Sequence, residues 1–154
     1  YFLEKVIAVY QPDMIQRIQT VYLALGIIAL LALLFFDVVW QSQATETLVW
    51  FAPALLATLA LTVLLAGAAI FLYKNREKQR KVVTYAQGAL LLLIIVLFGG
   101  LTMTSELGIR SGGEPQVGRI VTLLLPVAAY ILFYLARRGI EHDIKLVRSM
   151  DRLR

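Results

Sequence analysis

No cysteine occurs among the 154 residues, which excludes disulfides, thiolate metal sites and cysteine nucleophiles. Charge is scarce too: Asp, Glu, Lys and Arg make up 16% of the chain, against 60% hydrophobic residues. A soluble domain runs nearer about 25% charged and about 45–50% apolar. There is one histidine, His142. Its sequence neighbours Glu141 and Asp143 point in other directions on a helix, so a metal or nucleophilic role lacks its partners. The glycine-containing run Ser111-Gly112-Gly113-Glu114-Pro115 has no phosphate-loop spacing.

The apolar residues are gathered into four uncharged blocks: Ile18–Phe36 (19 residues), Thr47–Tyr73 (27), Val82–Ser105 (24) and Ile120–Ala136 (17). About 20 apolar residues in a helix cross a hydrocarbon core of about 30 Å. Four transmembrane helices are therefore expected, over about 17–38, 48–73, 82–104 and 117–136. Soluble, disordered and disulfide-framework readings are excluded. The first block is expected to be a span rather than a cleavable signal peptide, because it is long, lacks a small-residue cleavage site and precedes three more spans.

The blocks also lack ionisable groups: none contains Asp, Glu, Lys, Arg or His. Such groups mark proton relays, coupled carriers and intramembrane active sites. Enzyme and coupled-transporter readings are disfavoured, and no catalytic residue, cofactor or metal is expected. Gln87, Thr58, Thr62 and Thr102 supply polarity without proton chemistry.

The charges that remain are sorted by segment. Lys5 and Arg17 precede the first block; Lys74, Arg76, Lys78, Arg80 and Lys81 lie between the second and third; Arg137, Arg138, Lys145, Arg148, Arg152 and Arg154 follow the fourth. These are 13 of the 15 bases, leaving Arg110 and Arg119 beside Asp37, Glu46, Glu106 and Glu114. Basic residues of short loops stay cytoplasmic, so both termini are expected inside. The net charge of +5 reflects this topology, and nucleic acid is not an expected partner.

Finer features follow. Asp13 and Gln16 form a candidate capping box for the first helix, and residues 1–13 read as an interfacial extension. Trp40 and Trp50 bracket a short outer connection at headgroup depth. Pro53 falls in the first turns of helix 2, where a missing amide costs little, and the small residues of that helix, Ala66 to Ala69 among them, suit close contact. Lys74–Lys81 reads as a charged inner connection and residues 105–118 as a plain outer loop. Pro126 is expected to kink helix 4. Tyr130 and Tyr134 suit an interface belt.

Residues 137–154 form an expected basic amphipathic tail helix. Ile140, Ile144, Leu146, Val147, Met150 and Leu153 share half of its wheel; Glu141, Lys145, Arg148, Ser149 and Arg152 share the other. That pattern suits an anionic leaflet. Asp143 and Asp151 fall in or beside the apolar arc. They pair either with bases elsewhere (Arg17 or the 74–81 connection) or locally, Asp151 with Arg148. The candidate contacts to lipid or partner are thus Arg17, Lys74, Arg76, Lys78, Arg80, Lys81, Asp143, Lys145, Arg148, Asp151 and Arg152.

Two segments carry a resemblance. The opening from Met14, MIQRIQTVYL, and the ending from Asp143, DIKLVRSMDRLR, resemble the two ends of an uncharacterised family of small four-span membrane proteins from Bacteroidetes-type bacteria, a domain of unknown function. Charged and small residues often stand in that family where Ile144 and Met150 stand here. The resemblance covers Met14–Arg154 and implies four spans in a bacterial inner membrane; it implies no activity. The expected protein is all-α and non-enzymatic. Its partners are the bilayer, anionic lipid headgroups and the subunits of a larger membrane complex to which it is accessory. The alternative is a small oligomeric transporter or channel.

Overall fold

The computed structural model describes residues 18–108, 110–111 and 114–153. Four helices in it are long and apolar enough to cross a membrane: Ile18–Phe35, Phe51–Phe71, Arg76–Met103 and Val117–Asp151. We label these α1, α4, α5 and α6; two short helices, α2 (Asp37–Trp40) and α3 (Gln43–Thr47), lie between α1 and α4. Residues 1–13, the candidate cap Asp13–Gln16 and Arg17 lie outside the described residues.

Four membrane-length apolar helices are present, as expected, but three connections differ from expectation. The 74–81 segment is not a loop: α5 starts at Arg76, leaving only residues 72–75 between α4 and α5. Hydropathy misplaces this boundary because Glu, Lys, Arg and Gln are good helix formers. The local start signal is Asn75, whose side chain accepts from the Lys78 amide at 3.2 Å, with Glu77 in the first turn, where a carboxylate suits the helix dipole. The connection after α1 is likewise folded. Ser42 caps α3, accepting from the Thr45 amide, and the Trp40 indole donates to the Leu33 carbonyl at 3.3 Å. The 105–118 loop holds a two-residue antiparallel ladder, β1 (Arg110–Ser111) on β2 (Glu114–Pro115).

The tail is no separate element either. α6 runs for 35 residues without a break, about 52 Å at 1.5 Å per residue. It passes through Pro126 and on through Arg137–Asp151. Pro53 occupies the first turn of α4, as its missing amide favours.

The core runs along periodic stripes. α4 buries Phe51, Leu55, Leu59, Thr62, Ala66 and Ala69; α5 buries Val83, Leu90, Leu93, Leu97 and Leu101; α6 buries Leu123, Ala129, Phe133, Ala136 and Ile140. α5 packs against both α4 and α6. Only Ala66 and Ala69 of the small residues between 66 and 69 are buried, so α4 approaches α5 through a mixed stripe rather than an alanine seam. Two glycines mark the closest crossings: a Cβ at Gly100 would collide with the Phe51 ring, and one at Gly26 with the Phe133 ring. α1 and α6 are therefore neighbours. The buried hydroxyls Thr58, Thr62 and Thr122 donate to carbonyls of their own helices, at 2.7–2.8 Å to Ala54, Thr58 and Gly118.

Candidate functional site at the basic end

The end of the bundle formed by residues 72–81 and 137–153 gathers the polar groups the sequence singled out. Three clasps hold it. At the first, the Gln19 side-chain amide of α1 donates to the Asp143 carboxylate at 2.7 Å, with both residues at 4% exposure. Gly139, one turn before Asp143, makes the room: a Cβ there would stand 3.0 Å from Gln19 Cγ. Among the described residues the partner of Asp143 is thus an amide on α1 rather than a base of the 74–81 segment or a local residue, and Arg17, the other base expected there, lies outside them. Gln19 is absent from the sequence-derived candidates because a glutamine near a span end carries no distinguishing signal.

At the second clasp the Gln79 amide donates to the Ala69 carbonyl at 3.0 Å. Ala69 lies in the last turn of α4, where carbonyls lack intrahelical donors, so the bond ties the α4 end to the first turn of α5. The third is an exposed ion pair in which Arg148 Nη2 of α6 donates to Glu77 Oε1 of α5 at 2.7 Å. Arg148 reaches across to the neighbouring helix rather than to Asp151. Exposed pairs of this kind contribute about 0–1 kcal/mol; the contact fixes proximity more than stability.

The remaining candidates are placed as follows. Lys74 lies in the α4–α5 turn, 6.0 Å from the Tyr73 ring centre. Arg76 and Arg80 are half-buried, and Lys78 and Lys81 are exposed on the first turns of α5. Lys145, Arg148, Asp151 and Arg152 are exposed on α6. His142 is exposed as well. Arg137 lies 3.6 Å from Glu141 and 5.9 Å from the Tyr134 ring centre. Of the apolar arc expected in the tail, only Ile140 and Ile144 are buried, while Leu146, Val147, Met150 and Leu153 are 40–89% exposed.

Two polar features lie elsewhere. In the middle of α5, Gln87 is 3% exposed, and neither its amide nitrogen nor its oxygen has a partner among the described residues. At the end opposite the bases, Glu106 Oε2 accepts from the Ala44 amide of α3 (3.2 Å) and the Thr104 hydroxyl (3.1 Å). Arg119 stands 4.0 Å from Glu106 Oε1 and donates to the Gly108 carbonyl at 3.0 Å. This carboxylate joins α3, the end of α5 and the start of α6. Among the described residues no three His, Cys, Asp or Glu side chains are grouped to hold a metal ion.

A family model described as Domain of unknown function (DUF4293) matches residues 15–153. The chain belongs to this family. The match takes in both motif-bearing ends, so the DUF4293 domain includes the Gln19–Asp143 clasp and the whole of α6. No curated protein and no solved structure matches the chain. The DUF4293 chain is thus a small membrane-type protein with four candidate spans.

Proposed function

We propose that this DUF4293 protein is a non-enzymatic accessory or assembly subunit of the bacterial inner membrane. It packs against a larger membrane complex, with both termini cytoplasmic. One observation carries the reading: α6 outruns any bilayer. About 20 residues, or 30 Å, suffice to cross the hydrocarbon, and α6 has 35. Its final turns leave Val147 and Met150 at 47% and 64% exposure, and Leu153, just past its end, is 89% exposed. A continuous helix that extends past the bilayer with such a stripe has the form of a docking element for another helix, read at i, i+3, i+4 spacing. The clasps at Asp143 and Arg148 hold this projection upright instead of letting it fold onto the leaflet.

The orientation is supported by the sorting of 13 of 15 bases into the segments before the first apolar block, between the second and third, and after the fourth, the bias that keeps short loops cytoplasmic. The test is purification of the tagged full-length protein from its own membranes in mild detergent, followed by mass spectrometry. Stoichiometric membrane subunits are expected, and Val147→Asp/Met150→Asp is expected to release them while the four-helix domain stays folded. Recovery of this chain alone, or subunits retained by the double variant, overturns the reading.

The small oligomeric transporter or channel is the second reading, favoured by Gln87. A buried amide with both polar atoms unpaired costs about 1–3 kcal/mol, and a water file beside it would offset that. A homo-oligomer in which Gln87→Cys reacts with a water-soluble thiol reagent would favour transport.

A further inference from the structure

Along α6 the residues Val127, Ile131, Tyr134, Arg138 and His142 follow one another at intervals of three or four and so share one stripe. All five are exposed. The first two face outward at the level of the buried span, where the bilayer covers them. At Tyr134 the stripe opens into a hollow of about 540 Å³ lined by Tyr134, Arg137, Arg138, Glu141, His142 and Lys145. A second hollow of about 340 Å³ shares Arg137 and Glu141 with it and is walled from α5 by Arg80, Lys81, Thr84 and Tyr85. The first hollow is lined by α6 alone; it adjoins the second at Arg137 and Glu141 and so extends the groove between the two helices along the α6 face.

The groove is unbalanced in charge. Arg80, Lys81, Arg137, Arg138 and Lys145 face a single carboxylate, Glu141, and that one lies 3.6 Å from Arg137. The contacts of Arg137 with Glu141 above and the Tyr134 ring below hold its guanidinium at the mouth. Polarity also changes with depth. The helices run antiparallel, so Tyr85 and Tyr134 lie on the membrane side of the cations on both walls. Beyond Tyr134 the exposed stripe of α6 continues with Ile131 and Val127. Cations over tyrosines over a greasy stripe is the order of phosphate, glycerol and acyl chain in a lipid, and basic pockets between membrane helices hold anionic headgroups.

We propose that the α5–α6 groove binds the headgroup of an anionic phospholipid. The phosphate lies between Arg137 and the Arg80–Lys81 pair, and an acyl chain follows Ile131 and Val127. A free phosphate ion would satisfy the same cations but would leave the stripe unused. A choline headgroup brings its own cation against the five already present.

The test uses native mass spectrometry of the purified full-length protein in non-ionic detergent, with equimolar phosphatidylglycerol and phosphatidylcholine. The expected result is a preference of about tenfold for phosphatidylglycerol. That preference should fall to about twofold or less in Arg80→Gln/Arg137→Gln and in Arg138→Gln/Lys145→Gln, and persist in Lys74→Gln/Lys78→Gln, which removes two bases of the same end outside the groove. Inorganic phosphate at 20 mM is expected to leave the bound lipid in place. Absence of preference, equal loss in the Lys74/Lys78 control, or displacement of the lipid by phosphate overturns the proposal. Arg138 and Lys145 are both exposed, so their variant reads the groove even if Arg137 is needed for folding.

Discussion

Gln19 and Asp143, 124 positions apart, meet at 2.7 Å at the basic end of the bundle, each 4% exposed. The bond joins α1 to the part of α6 that lies beyond its apolar stretch. It does so where an isolated carboxylate would be costly, since a buried polar group must find a partner.

Among the described residues each side chain of this pair has the other as its side-chain partner, so removing one member strands the other. Gln19→Leu is expected to destabilise the protein by about 2–3 kcal/mol, the cost of leaving a carboxylate without its donor. Asp143→Leu should cost about 1–3 kcal/mol for the orphaned amide. The double variant Gln19→Leu/Asp143→Leu should be less destabilised than the sum of the two. Thermal unfolding in detergent, followed by circular dichroism in a double-mutant cycle, measures the coupling; simple additivity would show that the bond contributes nothing.

Close helix crossings give a second contrast. A Cβ at Gly26 would meet the Phe133 ring and one at Gly100 the Phe51 ring, whereas nothing lies within 4 Å of a Cβ at Gly67 or Gly88. Gly26→Ala and Gly100→Ala are each expected to cost about 1–3 kcal/mol through overpacking. Gly67→Ala should be neutral or stabilising by up to about 1 kcal/mol, from helix propensity. Phe133→Leu should relieve Gly26→Ala but not Gly100→Ala, and the midpoints of the four single variants and of the two double variants with Phe133→Leu, in the same melting experiment, decide it.

Ser105 holds φ at 58°, the left-handed region that glycine prefers. It follows the end of α5, where the Glu106 amide donates to the Leu101 carbonyl (2.9 Å) and the Ser105 amide to the Thr102 carbonyl (3.1 Å). These are the two bonds of a Schellman cap. The cap turns Glu106 back to reach Ala44 and Thr104. Ser105→Gly is expected to stabilise by about 1 kcal/mol by relieving the αL cost. Ser105→Val should destabilise, and Glu106→Ala should cost about 1–3 kcal/mol by orphaning its donors. Unfolding midpoints check all three, and a destabilised Ser105→Gly would refute the cap's strain.

The cysteine-free chain makes sidedness directly measurable. Single variants Lys78→Cys and Arg152→Cys are expected to react with a membrane-impermeant maleimide only in inverted vesicles, and Gln43→Cys only in intact cells or right-side-out ones. Labelling of Lys78→Cys and Arg152→Cys from opposite faces would remove the basis for placing both termini inside.

Much of the fold was legible in the chain. Four uncharged blocks correspond to four helices of membrane-crossing length, because hydrocarbon thickness sets a length that composition alone reveals. Boundaries were less legible. The charged run Arg76–Lys81 reads as a loop by hydropathy yet forms helix, since its residue types are good helix formers and Asn75 supplies the cap. The tail reads as an amphipathic unit, yet it continues α6, because no proline follows Pro126 and Gly139 is tolerated within the helix. The candidate site was legible as a charge pattern and illegible as a set of contacts. Arg148–Glu77 and the groove walls need the pairing of α5 with α6, which no spacing along the chain encodes.

The sequence by itself determined the number of membrane-length helices and the crowding of bases at one end. Both depend on local counts, apolar length and sign of charge, which need no knowledge of neighbours. Only the tertiary structure decided that Asp143 meets Gln19, that Gly26 and Gly100 seat aromatic rings, and that Glu106 ties three elements together. Those outcomes depend on which helices lie side by side and at what register. Close packing sets both, through side-chain shapes at positions distant in the chain.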